Sequence, residues 1–249
     1  MNQIFISLAD AIKKANIEQS KIAIVSDFLY QPEIIDFLGV DSFYVTRGRS
    51  VPFATGLKMG NPTLKVIVLA GDLITLGGNH FMHGARRNMD LSVIFVNNFI
   101  YPEIDGKKTP LSAVPFSLYA TFERPINLPH LAYSSGSVYV ARWTALHKTE
   151  LTDSITHILT KRGFSVIEAI SPGTCYFAGI PDIPKNAEIL DFYYKNSILK
   201  NEEVTRNVEI VPAQKIFVGK FYEQEKPTFI DLYNSRLSEI LGNKFKPYG

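Results

Sequence analysis

The hydrophobic positions of this chain follow two alternating periods. Helical spacing from Ile4 to Ala15 predicts an amphipathic helix, and the run Lys21 to Ser26 (KIAIVS) predicts a buried strand. A short helix is expected from Glu33 to Leu38, a second strand from Ser42 to Val45, and a helix from Arg49 to Lys58 that the turn Gly60-Asn61-Pro62 breaks. Lys65 to Ala70 (KVIVLA) and Leu91 to Val96 (LSVIFV) are near-continuous apolar runs, as in strands covered on both faces, and a helix from Gly78 to Asn88 lies between them.

The stretch from Pro102 to Pro129 has no sustained period and reads as a long binding or contact loop. Beyond it a strand is expected at Ser137 to Ala141, a helix at Thr149 to Lys161 and the last parallel strand at Phe164 to Ile170 (FSVIEAI). A more polar tail follows from about Pro181, with weakly periodic helices at Glu188 to Leu199 and Ile230 to Leu241. The order predicts an α/β domain over residues 1–180, with an open, mostly parallel sheet and helices on both faces. Residues 181–249 form an extension expected to pack on that domain or on a partner.

Composition narrows the function classes. Hydrophobic residues make up 46% of the 249 and charged residues 20%, the balance of an ordered globular protein. The 26 basic and 24 acidic side chains are spread along the chain for a net charge of +2, so no field points to nucleic acid or an anionic membrane. No run approaches the roughly 18 to 20 apolar residues that span a bilayer. The opening MNQIFISLADAIKKANIEQS lacks a basic leader and a small-residue cleavage site, so a cytoplasmic location is expected. Cys175 is the sole cysteine, which excludes an intrachain disulfide and reads as a small core residue.

In open α/β sheets ligands bind outside the carboxyl ends of the strands, which directs attention to Gly71-Asp72 and Asn97-Asn98. Gly71 permits close backbone approach, and Asp72 places a carboxylate where a hard divalent cation could use it. Gly77-Gly78 opens a helix whose first N–H groups favour a phosphate. Asp72 and Asn98 bracket one strand-helix-strand unit, so both could reach one magnesium ion, with the Ile100 carbonyl as a third protein ligand. Spacing alone also fits ordinary turns, where Asp and Asn are common.

The segments RGRSVPFATGLKMGNPTLKVIVLAGD, LGGNHFMHGARRNMDLSVIFVNNFIY, GFSVIEAISPGTC and VGKFYEQEKPTF resemble, in order, landmarks of the 2-oxoacid:ferredoxin oxidoreductase beta subunit. They cover most of the chain between Val45 and Ile230, and GGNHFMHGARRN is the most specific. The resemblance implies the thiamine diphosphate-binding fold, with thiamine diphosphate and magnesium as cofactors. It implies an activity, the oxidative decarboxylation of a 2-oxoacid such as 2-oxoglutarate or pyruvate, in which the cofactor carries the carbon chemistry. It also implies partners: an alpha subunit that completes the active site, ferredoxin or another cluster-bearing electron acceptor, and coenzyme A. Asn98 matches the family's metal-binding asparagine, and Asp72 is the candidate for its aspartate.

The chain departs from the family pattern at several positions. Ser26-Asp27-Phe28-Leu29-Tyr30 stands in the region of one cluster cysteine and Gly173 follows Ser171-Pro172 where another is usual, while the chain begins too late for the N-terminal cysteine motif. With Cys175 alone, no iron-sulfur cluster is expected in this chain. Where the family reads Gly-Asp-Gly-Asp, only Gly71-Asp72 is present; counted back from Gly77-Gly78, Ala70 takes the first aspartate's place and Asp72 the second's. Pro102-Glu103-Ile104-Asp105-Gly106-Lys107 replaces a glycine-rich turn, and Arg47 replaces a histidine.

These departures leave open an alternative, a non-catalytic scaffold or regulatory paralogue that binds the cofactor weakly or not at all. A non-oxidative thiamine enzyme is a third. His80 and His83 lie on the helix beside the expected phosphate site, where packing is their commoner role. Lys107 and Lys108 could meet a carboxylate or phosphate, and Arg86 and Arg87 belong to an expected contact face.

Overall fold

The computed structural model describes residues 2–27, 38–71, 73–74, 76–97, 126–171, 191, 193–211 and 214–248. Its helices are α1 (Asn2–Ala15), α2 (Ser50–Gly60), α3 (Gly78–Arg86), α4 (Leu128–Ser135), α5 (Lys148–Thr160) and α6 (Phe229–Leu241). Its strands are β1 (Ile22–Ser26), β2 (Asp41–Tyr44), β3 (Lys65–Ala70), β4 (Leu91–Asn97), β5 (Tyr139–Thr144), β6 (Ser165–Ile170), β7 (Ser197–Leu199) and β8 (Ile216–Glu223).

The strands form one sheet in the order β2-β1-β3-β4-β6-β5-β8-β7, parallel from β2 through β5. The expected α/β architecture is thus present. Every residue of β1, β4, β5 and β6 is buried, as fits strands covered on both faces. Alternate side chains feed opposite cores. Ile22, Ile24, Ile67, Leu69, Ile94 and Ile167 pack with α1 and α5, whereas Val25, Val66, Val68, Val93 and Val166 pack with α2, α3 and α4.

Chain order gives the sheet a switch point. From β1 the chain moves outward to β2, then returns to place β3 on the other side of β1. The crevice beyond the carboxyl ends of β1 and β3 is where a sheet of this order accepts ligands.

Several local expectations need correction. The stretch ending at Pro129 opens α4, because Asn127 caps it by accepting from the His130 amide at 3.2 Å and Pro129 suits its first turn. The strand expected at Ser137 to Ala141 lies further along, at Tyr139–Thr144, so Arg142 is inside it. The helix expected through Leu199 gives way at Ser197 to β7, which pairs in parallel with Ile216–Val218 of β8. Strand β8 was not foreseen; it runs antiparallel to β5 and carries the C-terminal segment into the sheet. The expected helix at Glu33 to Leu38 and residues 102–125 of the expected loop lie outside the described residues, save Leu38. Among the described residues, no helix is long and apolar enough to cross a membrane.

Candidate functional site

The switch point is built around a carboxylate. Asp27 follows β1 directly and is 1% exposed. Its Oδ1 accepts from the Gly71 amide at 2.9 Å, and its Oδ2 accepts from the Gly48 amide and the Ser50 hydroxyl, each at 3.0 Å. One side chain therefore joins the exit of β1, the turn before α2 and the exit of β3. Charge-assisted bonds of this kind are roughly twice as strong as neutral ones.

The turn before α2 is seated on the segment leading to α3. Gly48 has φ +70°, and a Cβ there would lie 2.6 Å from the Leu76 backbone. A Cβ on Gly77 would lie 2.6 Å from the Gly48 carbonyl oxygen. Only glycine fits either contact without movement of backbone. Arg49 Nη1 adds a bond of 3.0 Å to the Leu76 carbonyl.

Gly71, Gly77 and Gly78 occupy the places expected from sequence in relation to β3 and α3. Gly71 comes first after β3, but its N–H is directed to Asp27 and is not available to a ligand. Gly77 is the N-cap of α3 and offers no capping side chain, so the first amides of the helix depend on another acceptor. Among the described residues, nothing lies within 4 Å of the position a Cβ would take on Gly78, at the start of the helix. These features fit the diphosphate of a cofactor, held by backbone amides and the helix dipole.

Asp72, Asn98 and Ile100, the expected metal ligands, lie outside the described residues, as do Lys107, Lys108 and Cys175. Their neighbours are described. Ala70 is fully buried as the last residue of β3, so its position serves the core. β3 and β4 are adjacent and parallel, with Ala70 opposite Phe95, which brings the two strand exits side by side. Among the described residues, no group of three or more His, Cys, Asp or Glu side chains could hold a metal ion. His80 is half-buried and His83 exposed on α3. Arg86 and Arg87 are exposed, with Arg87 over the Phe229 ring at 5.6 Å.

Behind the exit of β4 lies a second polar cluster. Asn97 Nδ2 donates to Glu168 Oε1 at 2.7 Å, and Arg142 Nε donates to Glu168 Oε2 at 2.6 Å, with both charged side chains essentially unexposed. Arg142 also donates to the Val208 carbonyl at 2.6 Å. The residue preceding Asn98 is thereby anchored to β6, β5 and the C-terminal segment.

Sequence reasoning passed over Asp27, Glu168 and Arg142. Asp27 carried the same signal as Gly71-Asp72, a polar residue closing an apolar run. Arg142 and Glu168 were legible as opposite charges inside YVARWT and SVIEAI, where an unpaired charge would be untenable.

Known proteins match this chain. A family model, the C-terminal TPP (thiamine pyrophosphate, that is thiamine diphosphate) binding domain of thiamine pyrophosphate enzymes, matches residues 20–169. The chain is 36% identical over 237 residues to 2-oxoglutarate synthase subunit KorB of Methanothermobacter marburgensis, covering 93% of this chain and 83% of that protein. It is 36% identical over 236 residues to the protein of the same name from Methanocaldococcus jannaschii, covering 92% of this chain and 87% of that one. A solved 2-oxoglutarate:ferredoxin oxidoreductase from Magnetococcus marinus, with 2-oxoglutarate, coenzyme A and succinyl-CoA bound, shares the fold, with a TM-score of 0.76 at 23% identity over 96% of this chain and 85% of that one. With a thiamine diphosphate domain over most of its length and curated relatives matched nearly end to end, the chain belongs to the 2-oxoacid:ferredoxin oxidoreductase beta subunits.

Proposed function

We propose that this beta subunit binds magnesium thiamine diphosphate at the β1/β3 switch point and, with an alpha subunit, oxidatively decarboxylates 2-oxoglutarate. The observation that carries this reading is the start of α3, which no described side chain caps or covers, beside the adjoining exits of β3 and β4, in a chain of this family. The amides at Gly78 and after it would hold the diphosphate, and Asp72, Asn98 and the Ile100 carbonyl would hold the magnesium. When bound, the cofactor supplies the carbon nucleophile and electron sink that 2-oxoacid decarboxylation requires.

The choice of 2-oxoglutarate follows the names of the relatives, and coenzyme A and ferredoxin are the expected acyl and electron acceptors. Cys175 is the only cysteine in the sequence, so the chain holds no cluster of its own and electrons leave through a cluster-bearing partner. A cytoplasmic location suits such chemistry.

Calorimetric titration with thiamine diphosphate plus magnesium, with and without the alpha subunit, tests the site. Saturable binding that Asp72→Ala abolishes is expected. No binding in either form overturns the reading and leaves a scaffold subunit. Reduction of ferredoxin by the complex with 2-oxoglutarate, but not with pyruvate, is the expected substrate preference.

A further inference from the structure

We infer that Asp27 is a positioning residue for the cofactor: it fixes the chain at Gly71, where β3 ends, and the Gly48 turn that abuts Gly77 at the start of α3. The inference rests on the functional reading above. It goes beyond that reading because Asp27 touches neither diphosphate nor metal in it, and no motif of the sequence nominated this residue.

The geometry is specific to a carboxylate. Oδ1 and Oδ2 of Asp27 face different parts of the chain, Gly71 on one side and Gly48 with Ser50 on the other. All three of these groups donate. An asparagine has one acceptor oxygen, and its amide nitrogen would turn N–H groups toward an N–H or hydroxyl donor on the other side. Asp27 cannot be replaced by its neutral isostere without abandoning one of its two contacts.

The consequences propagate along a short path. Through Gly71, Asp27 fixes where the chain leaves β3, one residue before Asp72. Through Gly48, it fixes the turn whose carbonyl oxygen approaches Gly77 and whose α-carbon abuts Leu76, just ahead of α3. Both ends of the 71–77 segment are therefore referred to one buried side chain on the neighbouring strand. A cofactor held beside the exit of β3 and at the start of α3 needs the two at a fixed separation, and small displacements at such a site are costly.

The test uses the complex of this chain with its alpha subunit, with thiamine diphosphate plus magnesium as the titrant. For Asp27→Asn, cofactor affinity is expected to fall about tenfold or more, as for the loss of one or two buried hydrogen bonds. At saturating cofactor, KM for the 2-oxoacid should stay within about threefold of wild type, because the substrate contacts are not altered. Ser50→Ala removes one donor and spares the carboxylate, and is expected to weaken the cofactor a few-fold in a folded protein. Asp90→Asn, at the far end of the sheet, serves as the control for general destabilisation and should leave the affinity unchanged.

Wild-type affinity in Asp27→Asn overturns the positioning role while the functional reading stands. If that variant does not fold, wild-type affinity in Ser50→Ala overturns it instead. Equal losses in Asp90→Asn and Asp27→Asn also overturn it, since the effect would then be stability alone. Absence of binding in wild type overturns the functional reading, a different and separately visible failure.

Discussion

Asp27 and Asp90 stand at opposite ends of the same sheet, and both are buried, at 1% and 9% exposure. Asp27, beyond the carboxyl ends, accepts from two backbone amides and a hydroxyl. Asp90, before β4 at the amino ends, accepts from the Gly163 amide at 2.9 Å and pairs with Lys58 at 2.7 Å and Lys65 at 3.7 Å. The amino end thus neutralises its carboxylate with side-chain cations, while the contacts described for Asp27 orient backbone. A diphosphate site needs its backbone placed, and the Gly71 and Gly48 amides bonded to Asp27 fix the chain on either side of it.

A cavity of about 310 Å³ does open at the amino end, lined by Lys58, Asp90, Arg162, Asp231 and others. It is not the candidate site. Lys58 is paired with Asp90 and Arg162 with Asp231, so its charges answer one another, and it lies at the end of the sheet where ligands are not bound.

The largest expected effect tests the structural end. Asp90→Ala leaves Lys58, 4% exposed, and Lys65 without their carboxylate, and should cost about 3–5 kcal/mol in denaturant unfolding. Cofactor affinity in the folded protein should not change; a tenfold loss would mean that the two ends are not independent. The same residue should shape the acid limb of stability. Burial alone would raise the Asp90 carboxyl, but Lys65, Lys58 and the Gly163 amide together hold it below its usual 3.8. Its contribution is then fully present above pH 3.8 and lost as pH falls through the lower folded value, so Asp90→Asn should flatten the acid limb.

The functional end breaks differently. Gly48→Ala places a side chain at φ +70° and drives its Cβ against the Leu76 backbone. The strain should cost about 1–3 kcal/mol of stability. Cofactor affinity should fall more than tenfold, because the displaced turn bears directly on Gly77. A variant destabilised to this degree with wild-type affinity would show that the turn contact serves folding alone.

How much of this was readable beforehand differs between the ends of the sheet. KVIVLA and LSVIFV were unmistakable because a strand covered on both faces has no solvent-facing side to alternate with its apolar positions. Residues Gly71, Gly77 and Gly78 were located because each follows or opens such an element. Strand β8 escaped notice because it lies toward the sheet edge and IFVGKFYE mixes buried with half-exposed positions. The insertion of β6 between β4 and β5 is a long-range choice that no local period records. Asp27 closes its apolar run as a polar residue, but what it holds was not legible, because the partners described, Gly48, Ser50 and Gly71, are 21 to 44 residues away and two of those three bonds are to backbone.

The smallest expected effect belongs to α6, whose start lies over the amino end. Thr228 caps this helix by accepting from the Asp231 amide at 3.2 Å, and Asp231 Oδ2 accepts from the Thr228 amide at 2.9 Å, completing a capping box. Burial would raise the Asp231 carboxyl, but the Thr228 amide and Arg162 hold it below its usual value, so the box carries a charge at neutral pH. Thr228→Ala should cost about 1 kcal/mol, the usual worth of an N-cap, and speed amide exchange in the first turn of α6. It should leave cofactor affinity untouched, like Asp90→Ala and unlike Gly48→Ala. Two variants that span a several-fold range of stability loss at one end without affecting binding, set against one of intermediate cost that weakens it more than tenfold at the other, would separate stability from site geometry. A binding loss that instead tracked stability across all three would mean that the sheet transmits strain from end to end, and that Asp27 and Asp90 serve the same purpose.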